Sequence, residues 1–472
     1  TLMPMIRSAV EALFPGRIRV EHPDLAVVKG AALSALELGQ DTKREEQKME
    51  LAIDQETDQE KIDQEKIDQG IDQKIDQEID QILDQEIDQK TDQTETSKPA
   101  VYGISLGGAY SAIATLGANN LPEVIENYAD GSGTLASAVY FTEDGEFVVG
   151  KVAKNQAEIE PERVIQYVKQ EIGKKDPRIY TFNGIDYDPI RISALILKRI
   201  KEYAEEQGHE VKDVVITCPA YFGNEEREAT KQAGIIAGFN VLNIVNEPTA
   251  AALYYCSHEL NESRKILVFD LGGGTFDVTL IDFSVDENGK SMIEIIASNG
   301  DDRLGGVDWD AVLNDYMLEV YAGESEVQVN DIPHEIKQRI WAEAEDVKKG
   351  LSFTSIRGVS ITAAGESARI ILTRDEFERR TKHLVKITTR LVNVVLETAG
   401  VKAEEVDLVL LVGGSTLMPM IRSAVEALFP GRIRVEQPDL VVAKGAALSA
   451  AVEWRDREEK NVVMAKSEYI YC

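Results

Sequence analysis

Hydrophobic runs alternate with amphipathic stretches from about residue 101 to residue 452. The run VKDVVITCPAYF (211–222) predicts a buried strand, NEEREATKQAGIIAGF (224–239) predicts a helix that closes at Gly238, and NVLNIV (240–245) predicts another strand. In RISALILKRIKEYAEEQG (191–208) the apolar positions that share one helical face are Ile192, Leu195, Ile196, Ile200 and Tyr203. This alternation predicts an α/β fold with several sheets.

Glycine-rich turns join apolar runs at several points of this region. Two have the form of a strand, a turn and a strand: VYGISLGGAYSAIATL (101–116) and VFDLGGGTFDVTL (268–280). Two more are GDDRLGGVDWD (300–310) and LVGGST (411–416). Main-chain N–H groups in such turns converge and can hold phosphate oxygens. One such turn is common in ordinary sheets, but four in one domain indicate a nucleotide.

A long internal repeat frames the chain. Residues 1–35 recur at 416–450 and differ only at His22/Gln437, Ala26/Val441 and Val28/Ala443. The later copy follows the hydrophobic run DLVLLVGGS, so we expect residues 1–35 to be an orphan copy of the end of a preceding nucleotide-binding domain. A tandem array and a partial duplication both explain the pattern.

The segment 36–100 has a composition of its own. It holds 21 Asp or Glu against 8 Lys or Arg, and its Asp-Gln pairs, most of them preceded by Ile, recur mostly every four residues. Aspartates four residues apart repel one another on a helix, and a four-residue period gives no straight apolar seam. We expect an acidic repeat linker that spaces its neighbours, with a coiled-coil helix as the alternative.

Charge and cysteine content limit the class of partner. A formal net charge of −32 leaves no basic stripe for nucleic acid, and no apolar run has the length of a membrane span. Three cysteines without a CxxC spacing favour a reducing compartment, so we expect a cytoplasmic protein.

Four motifs carry a specific resemblance: DLGGGTFDVTL, NEPTAAAL (246–253), VVITCPAYF and LVLLVGGSTLMP. They resemble the nucleotide-binding domain of the 70-kilodalton heat-shock (DnaK-type) chaperones, in the actin-like ATPase superfamily. The resemblance covers about residues 101–452. It implies a two-lobed actin-like ATPase fold of duplicated ribonuclease-H-like domains, with ATP or ADP and Mg²⁺ in the cleft. Lobe I would comprise 101–259 and 435–452, lobe II 260–434, and a tail 453–472.

The resemblance also implies roles for individual residues. Lys169 would reach the terminal phosphate and position the attacking water, and Thr275 would touch that phosphate. Asp270, Glu247 and Asp277 would hold hydrated magnesium through water. The further positions implied to bind nucleotide are Gly107, Gly108, Ala109, Tyr110, Gly272, Gly273, Gly274, Gly305, Gly306, Glu345, Lys348, Lys349, Ser352, Gly413, Gly414, Ser415 and Asp439. Pro219 and Arg227 match the switch that reports nucleotide state.

The chain departs from the family pattern in the first glycine turn. Ser105 stands where the family has an aspartate that helps to organise the water shell of the metal, and Gly108 and Ala109 replace two threonines. The other departures are Leu417 and Lys349 in place of arginines, Arg303 in place of a histidine and Val307 in place of an acidic residue. Loss of one electrostatic group at a reacting centre commonly costs about 10²–10³ in rate. We therefore expect nucleotide binding with weakened hydrolysis.

Partners follow from the same resemblance. It implies a J-domain co-chaperone and a nucleotide-exchange factor. Too few residues follow Ala451 for a peptide-binding domain, so we expect this chain alone not to bind a client peptide. The alternatives are a non-hydrolysing nucleotide-sensing scaffold in a tandem array and a sugar kinase of the same superfamily.

Overall fold

Strands and helices alternate throughout the part of the chain that the structure, a computed structural model, describes. The described residues are 100–127, 131–259, 263–285, 291–363 and 366–469. The predicted orphan copy at 1–35 and the predicted linker up to residue 99 lie outside them.

Within the described ranges, the strands form two large sheets and three small ones. Those before residue 250 are β1 (Val101–Ser105), β2 (Tyr110–Leu116), β3 (Pro122–Val124), β4 (Leu135–Ala136), β5 (Ala138–Phe141), β6 (Phe147–Val149), β7 (Val164–Gln166), β8 (Tyr180–Phe182), β9 (Ile185–Tyr187), β10 (Asp213–Cys218) and β11 (Asn240–Asn246). Those after it are β12 (Arg264–Leu271), β13 (Phe276–Val285), β14 (Ser291–Asp301), β15 (Ile356–Ala363), β16 (Glu366–Thr373), β17 (Leu408–Val412) and β18 (Ile433–Arg434).

Helices cover and connect these sheets. In the part of the chain that the structure describes, the α-helices are α1 (Lys151–Gln156), α2 (Pro189–Glu205), α3 (Asn224–Ile236), α4 (Glu247–Glu259), α5 (Gly306–Glu324), α6 (His334–Phe353), α7 (Arg374–Ala399), α8 (Pro419–Leu428) and α9 (Val441–Tyr469). Short 3₁₀ turns span Pro161–Arg163, Val168–Glu171, Val329–Asp331, Ala403–Glu405 and Gly414–Leu417. Among the described residues, no helix is long and apolar enough to cross a membrane.

The two large sheets have the same strand order. Read from the meander edge, the first runs β3-β2-β1-β10-β11 and the second runs β14-β13-β12-β17-β18. In each, a three-stranded antiparallel meander is extended by two parallel strands next to its first strand. The β1–β2 and β12–β13 hairpins therefore occupy equivalent places in the two sheets, and both carry a predicted glycine turn.

Helices α4 and α9 pack on both sheets through small side chains. Ala250 of α4 belongs to an apolar cluster with Ile266 and Leu410 of the second sheet. Ala446 of α9 packs with Val101 and Val215 of the first sheet. At the α4–α9 contact, a Cβ on Gly445 would overlap the Ala250 carbonyl, so this approach requires glycine.

Most sequence-based elements are confirmed, with shifted ends. Helix α2 buries Ile192, Ile196, Ile200 and Tyr203, while Leu195 is half-buried. The strand expected over 211–222 spans only Asp213–Cys218, because Pro219 has no N–H to donate to a ladder. Helix α9 passes without a break through residue 452, where the sequence suggested that a tail begins.

The contact between α4 and α9 predicts opposite effects for two glycine substitutions. Gly445→Ala forces the helix backbones apart, and we expect a loss of about 1–3 kcal/mol in the free energy of unfolding. The matched control is Gly323→Ala in α5, where a Cβ meets nothing within 4 Å and helix propensity gains up to about 1 kcal/mol. Urea unfolding measures both. Equal stabilisation by the two alanines would contradict the packing described.

Candidate functional site

A cavity of about 330 Å³ lies where the two glycine hairpins, helix α6 and the turn after β17 meet. The predicted site residues that line it are Gly107, Gly108, Ala109, Tyr110, Lys169, Glu247, Asp270, Gly272, Gly273, Thr275, Glu345, Lys348, Lys349, Ser352, Gly413, Gly414, Ser415 and Asp439. Residues separated by up to 332 positions in sequence thus come together at one site.

The remaining predicted site residues lie just behind this wall. Gly306 donates its N–H to the Gly272 carbonyl at 2.9 Å, and a Cβ on Gly305 would overlap the backbone of Gly274. Asp277 is buried at the end of β13. These four residues (Gly274, Asp277, Gly305 and Gly306) shape the second hairpin from behind rather than line the cavity.

The two hairpins have the same spacing but different chemistry. In the second, Asp270 and Asp277 are directly opposed across the antiparallel ladder. In the first, the pair at the same seven-residue spacing is Ser105 and Ala112. The second hairpin therefore carries two carboxyl groups where the first carries none. Like charges that face each other across a ladder destabilise the sheet, so this pair needs a compensating positive charge or a proton.

One buried lysine meets this acidic group. Lys169 Nζ lies 2.6 Å from Glu247 Oε1, and both side chains are buried. Burial, then the charge of Glu247, raise the pKa of Asp270 to about 7, although Lys169 opposes the rise. Burial and the charges of Asp270 and Glu247 raise the pKa of Asp277 well above its usual range. Three carboxyl groups therefore share one ammonium group.

These groups fit a hydrated cation. Asp277 Oδ1 is buried and has no hydrogen-bond partner among the described residues, and a buried polar oxygen of this kind normally has one. Carboxylates that act through retained waters are the usual environment of Mg²⁺ in proteins. Within the described ranges, no three His, Cys, Asp or Glu side chains form a set that could ligate a metal directly.

Helix α6 contacts the first hairpin through a charged cluster. The Tyr110 hydroxyl donates to Glu345 Oε1 at 2.9 Å and accepts from Lys154 Nζ at 2.8 Å. Glu345 also pairs with Lys154 and, at 3.0 Å, with Lys349. Burial alone would raise the pKa of Glu345, but the two lysines outweigh it and lower the pKa to about 2. This cluster ties the two sides of the cavity together.

Two predicted nucleotide contacts engage protein groups instead of pointing freely into the cavity. The Lys348 ammonium lies 2.8 Å from Asp310 Oδ2 and 2.9 Å from the Gly306 carbonyl oxygen. The Ser415 hydroxyl donates to the Gly272 carbonyl at 2.8 Å. Their first role in this structure is to fix the second hairpin against α5 and α6.

Several lining residues were missed by sequence reasoning. They are Ser105, Thr134, Tyr167, Val307, Asp310, Phe353, Val412, Leu417, Met418, Pro438 and Val442. In the sequence, Ser105, Val307 and Leu417 stand out only as departures from the family pattern, not as residues of the site. Asp310 stands in the same GGVDWD stretch as Gly305 and Gly306, which was the available signal. Nothing local marks Tyr167, whose left-handed backbone (φ 57°) appears only in the fold.

The predicted switch residues lie close to one another. The Pro219 carbonyl accepts from the Phe222 N–H at 3.2 Å. Arg227 Nε donates to the Phe222 carbonyl at 3.0 Å, and another guanidinium nitrogen contacts Asn246 next to Glu247. A hydrogen-bonded path therefore leads from Pro219 to the residue beside the buried Lys169–Glu247 pair.

The fold and the cavity define an α/β protein with paired sheets and a glycine-lined, acidic cleft. A family model described as Hsp70 protein matches residues 101–466. Chaperone protein DnaK of Thermosipho africanus is 42% identical over 363 residues, covering 75% of this chain and 59% of the relative. DnaK of Thermosipho melanesiensis is 41% identical over 367 residues (76% and 60%), and DnaK of Thermotoga maritima is 39% identical over 364 residues (75% and 60%).

This chain therefore belongs to the Hsp70 family. It spans about three fifths of the length of the curated relatives it matches.

The opposed aspartates predict a pH-dependent effect on stability in the ligand-free protein. A carboxyl group whose pKa is raised by folding keeps a proton that the unfolded chain has released. Its contribution to stability is therefore lost as the pH rises from about 4 through the folded pKa, which is about 7 for Asp270. We expect Asp277→Asn to increase the free energy of unfolding at pH 8 by on the order of 1 kcal/mol or more, and far less at pH 5.

Urea unfolding in a chelating buffer at both pH values measures this difference. The control is Asp331→Asn, which changes an exposed carboxylate outside the cavity. A destabilisation by Asp277→Asn that is equal at pH 5 and pH 8 would contradict the electrostatic description.

Proposed function

We propose that this chain is the ATP- and ADP-binding domain of an Hsp70-type chaperone, and that it hydrolyses ATP slowly. The observation that carries the proposal is the convergence of two glycine hairpins on one cavity that is also lined by Lys169, Glu247 and Asp270. The relatives named above are DnaK chaperones, and proteins of their family bind ATP and ADP.

In this proposal the hairpins hold the phosphates. Gly107, Gly108 and Ala109 of the first hairpin and Gly272, Gly273 and Thr275 of the second line the cavity, and main-chain amides of these turns would hold phosphate oxygens as in other phosphate-binding turns. Thr275 adds a hydroxyl at the second hairpin. Gly413, Gly414 and Asp439 lie on the side of the turn after β17, where they would contact the sugar and base.

The reaction is transfer of the terminal phosphoryl group to water, which needs positioning and charge neutralisation more than covalent chemistry. Mg²⁺, when bound, would neutralise developing charge on the phosphate oxygens. Glu247 fixes the Lys169 ammonium at 2.6 Å, so this cation is held in place and can orient a water or a phosphate oxygen. Asp270 and Asp277 would hold waters around the metal ion.

The first hairpin is the reason to propose slow turnover. At the seven-residue spacing where the second hairpin carries two carboxylates, it carries Ser105 and Ala112. Backbone donors can still bind phosphate, but the side chains that would organise water on this side are missing. We therefore expect the chain to bind nucleotide normally but to hydrolyse ATP slowly.

The organisation of the domain belongs to the same proposal. The shared strand order of the two large sheets supports lobes of duplicated ribonuclease-H-like topology: 101–259 with 435–452, and 260–434. A J-domain co-chaperone and a nucleotide-exchange factor are the partners we propose. The network from Pro219 through Arg227 to Asn246 is where a switch would sense the nucleotide.

Restoring the missing side chains tests the proposal. A Cβ at Gly108 meets nothing within 4 Å, so Gly108→Thr has room, whereas Ala109 abuts Gly273 and a threonine there is more crowded. We expect Ser105→Asp, Gly108→Thr to accelerate single-turnover ATP hydrolysis by about 10²-fold, and Ala109→Thr to add little. Binding of ADP should change far less than the rate.

Rapid-quench measurement with enzyme in excess over ATP isolates the chemical step. Equal and brisk hydrolysis by the original and restored chains would remove the claim of slow turnover. Nucleotide binding with no hydrolysis in either chain, with or without a J-domain protein, would favour a nucleotide-sensing scaffold.

A further inference from the structure

The backbone of Tyr167 lies in the left-handed region, with φ 57° and ψ 25°. The Cβ of an L-residue disfavours this conformation, which asparagine, aspartate and histidine adopt more readily than tyrosine. Strain of this kind persists where surrounding contacts over-determine it, and it clusters at functional sites. Tyr167 lines the cavity and directly precedes the 3₁₀ turn Val168–Glu171. The strained residue therefore stands two positions before Lys169, the cation of the candidate site.

Residues on both sides of Lys169 contact one glycine of the second hairpin. Gln170 Nε2 donates to the Gly274 carbonyl at 2.7 Å. A Cβ built on Gly274 would lie 2.9 Å from Cδ1 of Tyr167 and 3.0 Å from Nε2 of Gln170, so both side chains approach this backbone closely. The turn that carries Lys169 is therefore held against one point of the hairpin, once before the lysine and once after it.

Gly274 is also in close contact with the start of α5. A Cβ on Gly305 would lie 2.4 Å from both the nitrogen and the Cα of Gly274. The next two residues of α5 donate their N–H groups to the carbonyls of Gly272 and Gly273, each at 2.9 Å. The second hairpin is thus fixed by α5, and it offers the turn a rigid point of attachment.

The Lys169 side chain has a further contact at its tip. Its ammonium group lies 2.6 Å from Glu247 Oε1. Glu247 belongs to α4 and not to the hairpin, so this ion pair alone does not set the distance from the ammonium group to the hairpin. That distance depends on the contacts of Tyr167 and Gln170 with Gly274.

We propose that Tyr167 and Gln170 are positioning residues, which hold the Lys169 ammonium group in register with the second glycine hairpin. The inference rests on the proposed function, in which Lys169 orients a water or an oxygen of the terminal phosphate. Binding of a ligand that has this phosphate should depend on the two contacts, whereas binding of a diphosphate should not. Packing of the Tyr167 ring against Gly274 offsets the strain in its backbone.

The test compares ADP with adenylyl-imidodiphosphate, a non-hydrolysable ATP analogue, so the result does not depend on turnover. Calorimetry in magnesium buffer would measure both ligands on the original chain and on Gln170→Met, which keeps the side-chain length and removes the donor. Loss of one hydrogen bond that positions a charged group should weaken binding of the analogue about tenfold and binding of ADP less than about twofold. The matched control is Gln232→Met, at an exposed glutamine outside the cavity, which should change neither.

A double-mutant cycle shows whether Gln170 acts through Lys169. In the Lys169→Met background, Gln170→Met should cause no further loss of analogue binding, because the group that it positions is gone. ADP binding reports whether each variant is folded. Tyr167→Asn removes the ring from a backbone that asparagine tolerates, and it should weaken the analogue selectively, as Gln170→Met does.

Three results would overturn the inference. Gln170→Met or Tyr167→Asn could bind the analogue as Gln232→Met does, either variant could lose both ligands equally, or the loss caused by Gln170→Met could persist in full without Lys169. Failure of the original chain to bind ADP would be a different result, because it would overturn the proposed function and the inference with it.

Discussion

Buried negative charge around Lys169 is the constraint on which the site depends. The ladder register of β12 and β13 places Asp270 opposite Asp277, and the Lys169 ammonium is already paired with Glu247. Taking charges out of water is costly unless they are paired and hydrogen-bonded. The ligand-free protein can meet that cost by keeping protons on the aspartates, and a cation bound between the hairpins would meet it more completely. The candidate site, the proposed magnesium ion and the predicted pH dependence of stability thus share one physical origin.

The β1–β2 and β12–β13 hairpins occupy equivalent places in their sheets but differ in the side chains that they present to the cavity. Both are four-residue turns that contain glycines and join antiparallel strands, so both can present amides to phosphate. Only the second keeps opposed carboxylates, and the first has Ser105 and Ala112 at that register. Ground-state binding depends mainly on the shared backbone, whereas the transition state depends on side chains that organise water and charge. In the proposed function, this difference is the reason why nucleotide binding would be retained while hydrolysis is slow.

Local sequence was informative where the chemistry is local. Glycine turns between apolar runs identified both hairpins, and periodicity located α2, α3 and their neighbouring strands. Contacts between residues far apart in sequence could not be predicted from these local patterns. Lys348 lines the cavity, but its ion pair with Asp310, 38 positions away, was not visible in the sequence. Phe353 resembles an ordinary helix-end residue until the fold places it at the cavity. The early end of β10 at Cys218 reflects Pro219, a local signal that the hydrophobic run concealed.

Proton release on binding tests the central claim most directly. If protonated Asp270 and Asp277 give way to a cation, binding of ADP with magnesium near pH 7 must expel protons. Calorimetry in two buffers that differ in ionisation enthalpy measures this number. We expect ADP to bind more tightly with magnesium, with a net proton release that is smaller at pH 9 than at pH 7. No binding at millimolar ADP, or binding heats that do not depend on the buffer at pH 7, would contradict this expectation.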